Sequence, residues 1–177
     1  LSYENIADKA TVAGVEVEVR KNLFVRPLSS AANGMNKLSF GLNGSYIYTN
    51  AKMPLATVTT GSQLEGAAPW IANFDLSHNF TKGTHSFINT LVFNYVSDKI
   101  YTIGTQGYQD IIEQGMMTLD FVSQAKLNKY VSLTLKARNL LNPSYKLSRK
   151  ANESGEKVVL SDYKKGINIS LGVSCTF

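Results

Sequence analysis

The stretch Gly166-Ile167-Asn168-Ile169-Ser170-Leu171-Gly172-Val173-Ser174-Cys175-Thr176-Phe177 alternates over its whole length. Ile167, Ile169, Leu171, Val173, Cys175 and Phe177 form one row, and the residues between them form a second that is small, polar and uncharged. Period two sends successive side chains to opposite faces of a β-strand. Soluble domains ordinarily end in a frayed polar tail. A fully alternating strand that stops on an aromatic residue suits the closing strand of an outer-membrane β-barrel instead.

Six more strands read the same way, over 11–23, 38–49, 70–80, 85–95, 118–127 and 131–140. In the first, Ala13, Val15, Val17 and Val19 oppose Gly14, Glu16, Glu18 and Arg20. In the third, Trp70, Ala72, Phe74, Leu76, His78 and Phe80 oppose Asn73, Asp75, Ser77 and Asn79. The charges Glu16, Glu18, Arg20, Asp75, Asp120, Lys126, Lys136 and Arg138 all fall on polar rows. A soluble sandwich turns such rows to water and its apolar rows inward. A membrane barrel turns the apolar rows to lipid and the charged rows to its lumen. Alternation is the same in both.

The connections separate the two. Residues 81–84 and 128–130 are tight turns, whereas 50–66, 99–115 and 147–165 are long. Short and long alternate along the last six strands, as periplasmic turns and extracellular loops do in outer-membrane barrels. The 22–37 connection is the exception, longer than its side predicts. With directions set this way, Tyr46, Tyr48, Trp70, Tyr95 and Tyr145 gather toward the long-loop rim. Phe40, Phe80, Phe87, Tyr130 and Phe177 gather toward the short-turn rim. Two aromatic bands are what membrane interfaces select. The expected fold is all-β, an antiparallel up-and-down transmembrane β-barrel segment of about seven strands.

Composition narrows the chemistry. Among 177 residues, 44% hydrophobic, no apolar run approaches the roughly 20 that a membrane helix needs. The net charge of +5 comes from scattered basic residues, with no basic and aromatic cluster for nucleic acid. The single Cys175 leaves no Cys-based zinc site, and His78 and His85 are the only imidazoles. Neither these nor Ser86 lies in a nucleophile context, so no catalytic residue, metal or cofactor is expected. Glu16 and Glu18 could hold a cation, but read better as lumen charges that pair with Arg20, Arg138 or a neighbouring domain. Asp120 with Lys126 or Lys136 reads likewise. The loop Gly104-Thr105-Gln106-Gly107-Tyr108-Gln109-Asp110 offers a ligand site, with Tyr101 and Tyr108 for stacking and Gln106 and Gln109 for hydrogen bonds. The opening Leu1-Ser2-Tyr3-Glu4-Asn5 reads like the interior of a longer chain.

Three motifs add a resemblance. Ala13-Gly14-Val15-Glu16-Val17-Glu18 resembles the "GvEle" strand of TonB-dependent outer-membrane receptors. Leu64-Glu65-Gly66-Ala67-Ala68-Pro69-Trp70 is similar to that family's "l-x-G-x-x-P" entry to a descending strand. Ala137-Arg138-Asn139-Leu140-Leu141-Asn142-Pro143-Ser144-Tyr145 is similar to its "v-x-N-L-f-D-x-x-Y" signature, with Asn142 where Asp is usual. Phe177 matches the terminal aromatic that the barrel-assembly machinery reads.

The resemblance implies that residues 1–177 are the C-terminal part of a receptor barrel of about 22 strands with a plugged lumen. It implies a bacterial outer-membrane location, surrounding lipid, and capture of a nutrient such as chelated iron, cobalamin, oligosaccharide or peptide. It also implies partners outside this segment: a plug domain, the remaining strands, and the TonB energy-coupling protein acting through the absent N-terminal part. Two other readings of the rows stand beside it. One is a soluble all-β ligand- or carbohydrate-binding module. The other is a small self-contained outer-membrane pore with an eighth strand from residues 1–10.

Overall fold

The computed structural model describes residues 9–28, 34–52, 63–104, 107–151 and 155–176. Eleven strands follow one another with no helix among the described residues: β1 (Lys9–Pro27), β2 (Met35–Lys52), β3 (Trp70–Lys82), β4 (His85–Val96), β5 (Lys99–Thr102), β6 (Ile111–Glu113), β7 (Met116–Lys126), β8 (Val131–Arg138), β9 (Ser144–Lys150), β10 (Lys157–Lys164) and β11 (Asn168–Cys175). The main sheet has the order β1-β2-β3-β4-β7-β8-β11, antiparallel throughout. These are the seven expected strands, each beside its neighbour in sequence.

Pairing carries both rows across the sheet without interruption. Val19, Leu42, Phe74, Phe93, Leu119 and their neighbours share one face, which continues through Ala137, Leu135 and Leu133 to Ile169, Leu171 and Val173. The described hydrophobics that are buried are only Ala51, Ala68 and Ile100, and they lie away from these rows. Among the described residues the apolar face therefore meets no second layer. Leu171 is 71% exposed and Val17 60% exposed, on the two edge strands. A soluble domain buries such a row to be stable; a barrel wall gives it to lipid.

The tight turns form for local reasons. Gly83 takes a positive φ of 61° at the first central position between β3 and β4, where a II′ hairpin wants glycine. Between β7 and β8, Asn128 Oδ1 accepts from the backbone N–H groups of Tyr130 and Val131, both at 2.8 Å.

Two expectations about the connections change. The 22–37 connection is mostly strand: β1 runs to Pro27 and β2 begins at Met35, so the anomaly shortens to residues 28–34. The pairing slips between Asn22 and Phe24, leaving Leu23 as a bulge that breaks the alternation. Phe40 accordingly lies well inside β2, with its ring 6.4 Å from Phe74, rather than at the short-turn rim.

The long connections 99–115 and 147–165 hold strands as well. The strands β5, β6, β9 and β10 form a second sheet in the order β10-β9-β6-β5. Each extends a main-sheet strand past a short break, and the pairing Lys99↔Glu113 keeps the register of Val96↔Met116. Tyr145 belongs to this upper sheet and so lies beyond the rim where it was expected.

Candidate functional site

The charged face concentrates its chemistry in two places. Near the middle, Glu18 and Arg20 of β1 form an ion pair, with Asp75 of β3 two strands away. Gly41 lies between them, and a Cβ there would meet Asp75 Oδ1 at 2.3 Å. Glycine at this position lets the carboxylate lie over the backbone toward Arg20. One row along, Asn43 donates to Glu16 Oε1 at 2.5 Å and Asn73 donates to Asn43 Oδ1 at 3.3 Å. Asn94 then donates to Thr118 Oγ1 at 3.2 Å. Glu16 is thus tied to an amide row rather than to Arg20 or Arg138, and Glu18 is the carboxylate that meets Arg20. Among the described residues no group of His, Cys, Asp and Glu could hold a metal ion.

The second place is the corner where the main sheet breaks into the upper one. Here a cavity of about 360 Å³ is lined by Asp120, Arg138, Asn139, Tyr145, Lys165 and Asn168, among others. Asn139 and Asn142 both adopt positive φ, 59° and 45°, which Asn tolerates better than other side-chain-bearing residues. Their polar groups knit three strands. The Asn139 backbone N–H donates to Asp120 Oδ1 at 2.8 Å, and its Nδ2 donates to Gly166 O at 2.6 Å. Gly166 N–H donates back to Asn142 Oδ1 at 3.0 Å. Asp120 therefore serves the corner, and no ion pair among the described residues joins it to Lys126 or Lys136.

The departure at Asn142 also finds its explanation here. Its hydrogen bond uses Oδ1, an atom that aspartate supplies equally.

In the upper sheet, Tyr145 is the centre. Its hydroxyl donates to Glu113 Oε2 at 3.2 Å, and Glu113 also meets Lys99 Nζ at 3.2 Å. The Tyr163 ring lies 5.1 Å away, and Lys165 Nζ stands 5.6 Å over the Tyr145 ring. Desolvation, followed by the Glu113 charge, raises the Tyr145 phenol above its ordinary value of 10.0.

Of the four expected ligand residues, Tyr101 sits on β5, 49% exposed. Tyr108 is 54% exposed, with the Arg149 guanidinium 5.0 Å over its ring. Gln109 follows it, half-buried, and Gln106 lies outside the described residues. The loop closes on Asp110 Oδ1, which accepts from Gly104 N–H at 2.7 Å. Sequence reasoning missed Arg149 over the Tyr108 ring, and Tyr145 and Tyr163 beside each other in the upper sheet. The signal that could have found them was the set of pairings across 99–115 and 147–165, which no single-strand pattern contains.

The assembly residue Phe177 lies outside the described residues, as do residues 1–8 of the 1–10 segment that supplies the eighth strand in the small-pore reading; Lys9 and Ala10 belong to β1. The imidazole of His78 is engaged by Asn36 Oδ1 at 2.8 Å rather than by a Ser or Thr hydroxyl. No helix of the described residues is long and apolar enough to cross a membrane.

The family model for the TonB dependent receptor-like β-barrel matches residues 1–140. No curated protein and no solved structure matches the chain.

Proposed function

The chain belongs to the TonB-dependent receptor-like β-barrel family, an outer-membrane receptor and transporter family of Gram-negative bacteria, and from that premise we propose that it is the C-terminal part of a nutrient-uptake receptor barrel. The observation that carries this reading is the separation of faces, apolar on one side and charged on the other, through all seven strands of an open sheet. An open sheet in lipid leaves unpaired backbone groups at both edges, a cost of several kcal/mol per group. The edges of β1 and β11 are therefore where the remaining strands pair.

In this reading Glu16, Glu18, Arg20, Asp75, Asp120, Lys126, Lys136 and Arg138 line the lumen and face the plug domain. The upper sheet stands on the extracellular side. Tyr101, Tyr108, Gln106 and Gln109 contact the nutrient there, whether chelated iron, cobalamin or oligosaccharide. Phe177 is read by the barrel-assembly machinery, and the TonB energy-coupling protein acts through the plug. The segment contributes wall and loops, with no covalent chemistry.

The test is uptake by cells that express the full-length receptor, with and without the energy-coupling protein. Labelled ferric siderophore, cobalamin and maltooligosaccharide serve as probes. Coupling-dependent uptake of one probe, reduced at least about tenfold by Tyr101→Ala/Tyr108→Ala at unchanged receptor level, is the expected result. Uptake of every probe that is indifferent to the coupling protein would contradict the reading.

A further inference from the structure

The apolar face changes character at its short-turn end. Going along the ladder, one row reads Phe24, Leu38, His78, Asn89, Ser123, and the next reads Arg26, Asn36, Phe80, Phe87, Ala125. Lys82 pairs with His85 at the turn, on the same face as Phe80 and Phe87. Two hydrogen bonds run along this zone, His78 Nε2 with Asn36 Oδ1 at 2.8 Å and Ser123 Oγ to Asn89 Oδ1 at 2.7 Å. The Arg26 guanidinium stands 5.8 Å over the Phe24 ring. Farther up, at Lys21, a third cation shares the face opposite Phe40. The other end of the same face carries Tyr46, Trp70, Tyr95 and Met117, and the cation of β1 there, Lys9, lies three same-face rows beyond the Tyr46 level.

A cation on the lipid-facing side of a barrel costs about 2–4 kcal/mol at mid-membrane and about 0–1 near the interface. Polar groups gathered at one end therefore belong at headgroup depth, where anionic phosphate is the complementary group. Neighbouring strands lie about 4.8 Å apart, so Arg26 on β1 and the Asn36–His78 pair on β2 and β3 fall within roughly 10 Å across the sheet. Lys82 closes the lower side. We propose that Arg26, Asn36, His78 and Lys82 form a seat for the phosphate headgroup of a glycerophospholipid in the leaflet on the short-turn side. The acyl chains lie up the face over Phe40, Leu76 and Leu91. Lys21 reaches down to the same phosphate by extending its aliphatic stem along the wall. This inference rests on the lipid-facing assignment of the apolar rows, and it is independent of which nutrient is carried.

The experiment is titration of the purified full-length receptor with dioleoylphosphatidylglycerol in mixed micelles, with retained lipid counted by native mass spectrometry. Arg26→Gln/Lys82→Gln is expected to weaken retention about fivefold or more. Lys37→Gln/Lys126→Gln removes two cations at the same level on the opposite face, and is expected to leave retention unchanged. A folded barrel is verified by its heat-modifiable gel mobility, and Arg26→Gln alone provides the readout if the double variant does not fold. Equal retention by wild type and Arg26→Gln/Lys82→Gln, or equal loss in both double variants, would overturn the seat. Nutrient uptake by Arg26→Gln/Lys82→Gln is expected to be normal, so failure of the seat and failure of the uptake reading give different results.

Discussion

Replacing Asn142 separates the two roles the structure gives it. Its side-chain Oδ1 accepts the Gly166 N–H at 3.0 Å, and its backbone holds φ at 45°. Asn142→Asp keeps the acceptor atom and tolerates the dihedral, so its expected effect on stability is within about 0.5 kcal/mol. Asn142→Gly removes the hydrogen bond and eases the backbone while adding unfolded-chain entropy, for a net loss of about 1 kcal/mol. Asn142→Ala loses the hydrogen bond and also strains the left-handed backbone, about 1 kcal/mol for each, hence about 2 kcal/mol together. The assay is the urea dependence of folding of the full-length receptor into lipid vesicles, read by the gel mobility of the closed barrel. The order Asp, Gly, Ala from least to most damaging is the expected result. Asp as damaging as Ala would mean that the Gly166 contact is not what the residue is for, and Ala equal to Gly would refute the backbone argument.

Three more outcomes follow from the same geometry. Gly115→Ala would bring a Cβ within 2.6 Å of Val96 O and 2.9 Å of Asp98 N, backbone atoms that cannot step aside; a loss above about 2 kcal/mol is expected, with protease cleavage opening in the 99–113 hairpin. Gly41→Ala meets only the end of the Asp75 side chain, so its cost should be below about 1 kcal/mol and should fall further when combined with Asp75→Ala, a coupling that a double-mutant cycle measures. The raised Tyr145 phenol favours the neutral form in the folded state, so its contribution is complete below the ordinary phenol value and lost as pH climbs through the higher folded value. In near-ultraviolet phenolate titration, Tyr145→Phe should remove a late-titrating group, and Glu113→Gln should move that group toward the ordinary range.

The main sheet was legible because each of its seven strands separates greasy from polar residues, and that separation reflects the two solvents on its two sides. The upper sheet was not legible for the same reason reversed. Lys146, Arg149, Lys150 and Lys157 distribute charge over β9 and β10 without one greasy row, and bulges interrupt the pairing at Ile100/Thr102 and Val159/Ser161. Strands without one continuous apolar row carry no period-two signal. The end of β1 failed differently: the bulge at Leu23 shifts the phase, so Phe24 rather than Leu23 continues the apolar face. At the corner, the motif around Asn139 and Asn142 was visible in the chain, but its purpose was not. That purpose depends on Asp120 and Gly166, residues distant in sequence that pairing brings beside it.

Apolar rows facing lipid and charged rows facing the lumen are the arrangement on which the proposed function depends. Spin labels placed one at a time at positions 71 to 76 of β3, in a Cys175→Ser background of the full-length receptor in lipid vesicles, test it most directly. Collision rates with oxygen should peak at 72, 74 and 76, and those with a water-soluble nickel complex at 71, 73 and 75. Equal rates along the strand, or the opposite phase, would contradict that arrangement and return the apolar rows to an interior.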